Sequence, residues 1–253
     1  MAADTWNRSP TEQRWWSKTI LTGAALSAVL LPAGALGARF GIWNYGTGFL
    51  LLAAGTMLAS IVLVIGITGI VVAHRRTLSR DMPALYIATG IAALILALMG
   101  LQFYKAYSVP PIHNVSTDVS DPPQFDRVAA LRGEEANPLE FDAEEIAPLQ
   151  EEAYPWLETL ESSLPPAAAL ERSVSVLEEQ GLEVVNVDET AGIVEATDTT
   201  FWFGFKDDLV VRVRPGASGS LVDVRSVSRV GRSDLGANAR RIGEFLDAFG
   251  AES

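Results

Sequence analysis

Three uninterrupted apolar stretches, residues 19–38, 47–73 and 82–103, contain no charged side chain. A bilayer core about 30 Å thick takes roughly 20 apolar residues as a helix. Each stretch meets that length. In lipid, only helices and closed barrels satisfy every backbone polar group internally. The sequence therefore predicts three transmembrane helices within residues 1–107, followed by a large tail of different character.

Charge sharpens that division. Residues 1–107 carry eight Lys/Arg against three Asp/Glu, whereas residues 108–253 carry eleven against 28. So acidic a tail argues against nucleic acid, whose phosphates need a basic stripe, and against the tail lying along anionic lipid headgroups. The chain has no cysteine, which excludes disulfides, Cys-ligated zinc and thiol chemistry.

Basic residues around the spans predict orientation. Arg8, Arg14 and Lys18 precede the first span, Arg39 alone sits in the first loop, Arg75, Arg76 and Arg80 fill the second, and Lys105 follows the third. Cytoplasmic loops are enriched in Lys and Arg. This places the N-terminus and second loop in the cytoplasm, and the tail on the periplasmic or extracytoplasmic side of a plasma (inner) membrane. Trp15, Trp16, Trp43, Tyr45, Tyr104 and Tyr107 fall where interfacial aromatic belts form. A second reading stays open for the first span, because Pro32-Ala33-Gly34-Ala35 resembles a signal-peptide cleavage site. Cleavage would leave the tail outside as well. The spans offer hydroxyls (Thr22, Ser27, Thr56, Ser60, Thr68) but no Asp, Glu, Lys, Arg or His, which argues against a proton-coupled transporter. Small-residue pairs at Gly23/Ser27, Gly69/Ala73, Ala88/Ala92 and Ala93/Ala97 permit close helix approach, within the anchor or against a partner membrane protein.

Residues 108–164 read as an acidic, proline-rich linker partly docked on the tail domain. Pro110, Pro111, Pro122, Pro123, Pro138, Pro148 and Pro155 interrupt it. Ile112, Val115 and Phe125 are the expected docking anchors. Residues 165–253 read as a folded domain. Pro165-Pro166 opens a helix with Leu170, Val174 and Leu177 on one stripe, and Gly181 ends it. Strands are expected at 182–188, 193–203, 209–214 and 221–230, joined by short turns, and hence antiparallel. A final helix starts near Ser233 or Asp234 and presents Leu235, Ile242, Phe245, Leu246 and Phe249. The expected fold is a three-helix transmembrane anchor plus an α+β two-layer domain: helix, four-stranded antiparallel meander, helix.

Within that domain, Glu195-Ala196-Thr197-Asp198-Thr199-Thr200-Phe201-Trp202-Phe203-Gly204-Phe205-Lys206-Asp207-Asp208, Val211-Arg212-Val213-Arg214-Pro215 and Asp223-Val224-Arg225-Ser226-Val227-Ser228-Arg229-Val230-Gly231-Arg232-Ser233-Asp234 form long motifs. With Ile112-His113-Asn114-Val115-Ser116-Thr117-Asp118, they resemble the domain-of-unknown-function family 1499 over roughly 110–250. The resemblance implies a membrane-associated envelope protein of bacterial or plastid type. It carries over no catalytic residue.

Two readings of the strand charges stand side by side. Arg212 and Arg214 share one strand face, as do Asp223, Arg225 and Arg229. They make either a salt-bridged outer face or, with Arg232 at its edge, a cationic surface for an anionic ligand. Trp202, in the aromatic run 201–205, either packs against the core or linker or is an exposed anchor for a partner or the bilayer, the bilayer being disfavoured by the tail's negative charge. His113 with Asp118 or Asp121 suggests a hydrolytic base pair or a structural hydrogen-bonding group. One histidine beside acids makes no metal-ligand pattern. No phosphate-binding loop, dinucleotide fingerprint or nucleophile elbow occurs, so no cofactor is expected. The expectation is a non-enzymatic envelope protein that binds a partner protein or anionic ligand. An envelope hydrolase and an accessory subunit of a membrane transporter are the alternatives.

Overall fold

A computed structural model describes residues 13–251, so Arg8 lies outside the described residues. By contacts the chain forms two compact units. One runs to Tyr104 and includes Trp202–Gly204; the other comprises Lys105–Phe201 with the residues from Phe205 onward.

The first unit contains helices α1 (Trp15–Arg39), α2 (Tyr45–Arg75) and most of α3 (Met82–Ser108). All three are long and apolar enough to cross a membrane. α1 continues through Pro32 as one helix. Glycine sets the approach of α1 to α2. A Cβ on Gly34 would stand 2.7 Å from the Gly48 carbonyl oxygen, and one on Gly48 would stand 2.6 Å from that of Gly34. Ser27, Gly69, Ala73, Ala88 and Ala92 are buried, as close packing requires, whereas Ala93 and Ala97 face outward. The span hydroxyls bond back to carbonyls of the preceding turn, Thr22 to Lys18, Thr56 to Leu52, Ser60 to Thr56 and Thr68 to Val64. They are thereby satisfied without water. Asp81, just before α3, is 2 % exposed. It accepts from the Ser17 hydroxyl (2.6 Å) and the Arg14 backbone N–H (2.8 Å), tying the first turn of α1 to the start of α3.

The second unit is an α+β domain with an antiparallel sheet, as expected, and with two further short strands. Its elements are β1 (Asn114–Ser116), α4 (Arg127–Leu131), α5 (Ala143–Ala153), β2 (Leu160–Ser162), α6 (Pro166–Glu179), β3 (Glu183–Asp188), β4 (Ile193–Thr199), β5 (Lys206–Pro215), β6 (Ser220–Ser228) and α7 (Ala237–Gly250). The order is β1-β6-β5-β4-β3, with β2 also pairing β6. β1 and β2 come from the segment read as a linker. Both add to the free edge of β6, supplying partners for its backbone groups. α6 ends as its glycine dictates. Gly181 adopts φ 80°, and the N–H groups of Gly181 and Leu182 return to the carbonyls of Glu178 (2.9 Å) and Leu177 (3.0 Å).

Alternation divides the sheet into two faces. Leu209, Val211, Val213, Val222 and Val224 point to one face and pack under α6 and α7 with Leu177, Ile242, Phe245 and Phe249. The opposite face was expected to be open. It is covered by residues 117–141, with Val128 of α4 fully buried on it. Two other expectations change. β4 stops at Thr199 rather than 203, because Phe201–Phe203 form a turn that Gly204 closes at φ 68°. Leu235 precedes α7 and is 42 % exposed, instead of lining the helix.

Candidate functional site

The covered face concentrates the charge of the domain. β5 brings Asp208, Arg212 and Arg214 to it, β6 brings Asp223 and Arg225, and β4 brings Glu195. Asp208, Glu195, Asp223 and Arg225 are all fully buried. A buried charge is tolerated only when its hydrogen-bonding groups are matched. The segment 117–141 supplies much of that matching.

Arg225 donates through Nε to Asn114 Oδ1 (3.0 Å), through Nη1 to the Pro123 carbonyl (2.9 Å) and through Nη2 to the Leu139 carbonyl. The rings of Phe125 and Phe141 lie 5.4 and 5.5 Å from its guanidinium carbon. No carboxylate among the described residues joins this group. Burial, with Arg132 nearby, pushes its pKa down to about 10. Beside it, Arg229 forks onto Asp208 (2.8 and 2.9 Å), which also accepts from Arg132 and from the Thr197 hydroxyl (2.8 Å). Glu195 accepts the backbone N–H groups of Asp126 (2.7 Å), Arg127 (2.8 Å) and Val128 (3.3 Å). A sheet carboxylate thus caps the N-terminus of α4, where a negative charge is favoured.

At the far end of the face, Asp223 accepts from Arg212 (2.9 Å), Arg214 (2.7 Å) and the Thr159 hydroxyl (2.6 Å). Asp118 and Asp121 join them: Arg212 reaches Asp121 at 2.9 Å and Asp118 at 3.4 Å. Burial works to raise the Asp118 pKa, but donors from Asp121 and Ser120 and the charge of Arg212 hold it below the usual carboxylate value. Arg214 is 38 % exposed at its side chain, against 14 % for Arg212 and 12 % for Arg229. Its buried Nε–H has no partner among the described residues. On the helical face, a groove of about 790 Å³ is lined by Leu170, Val174, Val187 and Val213.

The structure does not bring His113 to the aspartates. His113 precedes β1, its carbonyl accepting from Ser228 N–H (2.9 Å) and Asn238 Nδ2 (3.0 Å), whereas Asp118 and Asp121 follow β1 beside Arg212. Burial lowers the His113 pKa, against a hydrogen bond to the Arg232 backbone and the charge of Asp234. Arg232 is exposed beyond the end of β6, and Trp202 is 55 % exposed in the β4–β5 turn.

Sequence reasoning missed four contributors. Gln150 of α5 is 2 % exposed and grips both backbone groups of Ser116, finishing the edge of β1. Arg132 and Glu195 complete the covered face. Arg241 of α7 bonds Asp198 and Asp207 on the helical side. Val210 and Val227 carried a signal of the cover, since apolar side chains on a supposedly open face imply something over them.

The fold and its charged face define a class: a chain with three membrane-spanning-length helices and an antiparallel α+β domain whose polar sheet face is roofed by its own N-terminal segment. Residues 114–249, more than half of the chain, match the family described as protein of unknown function (DUF1499), and the chain belongs to that family. The matched region opens at β1 and so includes the covering segment. A search of curated proteins finds no match.

Proposed function

We propose that the chain is a non-enzymatic module anchored in the plasma membrane, its tail outside, binding an anionic envelope ligand or an acidic site on a partner protein. The basic residues flanking the spans support this orientation. The observation that carries the binding reading is Arg214. The guanidiniums of Arg225 and Arg229 are committed to internal partners. Arg214, though paired with Asp223, keeps a partly exposed guanidinium at the rim of the covered face. Such a place suits a ligand with a carboxylate or phosphate.

The test is to purify the full chain from gently solubilised membranes and compare it with Arg214→Gln. This change removes the charge while Asp223 keeps Arg212 and Thr159. The proposal expects a stoichiometric companion that the variant loses while its melting temperature falls by no more than a few degrees. A companion retained by the variant overturns the Arg214 site, and a chain that purifies alone overturns the binding reading.

A further inference from the structure

The turn between β4 and β5 exposes two adjacent large aromatics, Phe201 at 68 % and Trp202 at 55 %. Residues 199–206 contain no acid and end in exposed Lys206. Register fixes which end of the sheet this turn occupies. Asn114, the first residue of β1, stands opposite Val227; Val227 is opposite Asp208, and Asp208 is opposite Thr197. The β4–β5 turn projects beyond that row on the side from which the chain enters β1. Only residues 109–113 separate β1 from α3. Five residues span at most about 18 Å. The sheet end carrying Phe201 and Trp202 is therefore also the end tethered to a membrane-spanning helix. Exposed Arg232, four residues past the last residue of β6, follows that strand at this same end.

We propose that the Phe201–Trp202 turn is a second membrane attachment, seated in the interfacial layer of the bilayer that the spans cross, with Lys206 and Arg232 beside lipid phosphates. Tryptophan is enriched at headgroup depth because its ring is apolar and its N–H is wet. Basic side chains near the surface are drawn to anionic lipid. The tail as a whole is acidic, with eleven basic residues against 28 acids, so the acid-free turn is the part chemically suited to that contact.

The absence of cysteine makes the test direct. The full chain is reconstituted into phosphatidylcholine/phosphatidylglycerol vesicles, with a single nitroxide at Phe201→Cys or, leaving both aromatics in place, at Thr199→Cys. Thr190→Cys, exposed in the β3–β4 turn at the opposite end of the sheet, is the reference. Power saturation compares collision with oxygen, which partitions into lipid, and with a water-soluble nickel chelate. The proposal expects severalfold lower nickel access at 201 and 199 than at 190, with oxygen access retained. It also expects Trp202→Ser to raise nickel access at 199. Equal nickel access at all three sites overturns it. So does shielding of 201 and 199 from both reagents, the signature of a protein partner, and so does a label at 199 indifferent to Trp202→Ser.

Discussion

The two faces of one sheet are held by different physics. Under α6 and α7, Leu209, Val211, Val213, Val222 and Val224 meet Ile242, Phe245 and Phe249, and the stabilisation follows apolar area at about 25 cal/mol per Å². That interaction is non-directional, so shape can be adjusted at modest cost. Under residues 117–141, Glu195, Asp208, Asp223 and Arg225 are equally buried, and each is held by named donors or acceptors. There the loss of one partner strands another polar group without water. Equal burial therefore gives one tolerant face and one exacting face.

The largest expected effect tests that contrast directly. Arg225→Met keeps much of the side-chain volume but leaves the Pro123 and Leu139 carbonyls and Asn114 without their donor. It should cost about 3–5 kcal/mol in denaturant unfolding. Phe245→Leu, an apolar exchange on the other face, should cost only about 1 kcal/mol. Similar losses for the two would break the comparison. Next, Glu195→Gln removes the charge that caps α4 and should cost about 1–2 kcal/mol, with faster amide exchange at 126–128. Smaller again is Arg214→Gln, at about 1 kcal/mol or less, because Asp223 keeps two donors.

The last prediction concerns pH. Burial holds His113 below its ordinary value of 6.5, so below that pH the unfolded chain takes up the proton more readily than the folded one. The contribution of neutral His113 is complete above about pH 6.5 and is lost as the pH falls. His113→Gln should flatten the stability profile between about pH 7 and 5, a slope of at most about 1.4 kcal/mol per pH unit. An unaltered slope would show that the histidine does not contribute to it.

What was legible in the sequence divides along the same line. The spans were readable because length and absence of charge suffice. The helical face was readable because Leu170 and Leu177 on α6, and Ile242, Phe245 and Phe249 on α7, repeat at helical spacing opposite alternating valines. β1 and β2 have three residues each and α4 has five, too few to show a period. Arg225 resembled a solvated position because side-chain polarity alone does not reveal a roof of backbone carbonyls. The cover lies far away in the chain, with Pro123 and Leu139 reaching Arg225 across 102 and 86 residues. Arg212, Arg214, Asp118 and Asp121 were each singled out in the sequence, but their meeting around Asp223 depends on that long-range closure. Asp81 was passed over because one acid beside three arginines reads as loop charge, although it joins two helix starts.

The central claim is that residues 117–141 are the second cover of the sheet, as integral as α6 and α7. Native-state amide hydrogen exchange on the full chain in lipid nanodiscs tests it most directly. Thr117 N–H bonds the Val224 carbonyl, Asp126 and Val128 N–H bond Glu195, and Asn137 N–H bonds the Arg229 carbonyl. The account predicts that these amides exchange as slowly as those of β5, and that Arg225→Met accelerates them before it accelerates the amides of α7. Exchange at these positions near the rate of an unstructured chain, with β5 still protected, would contradict it.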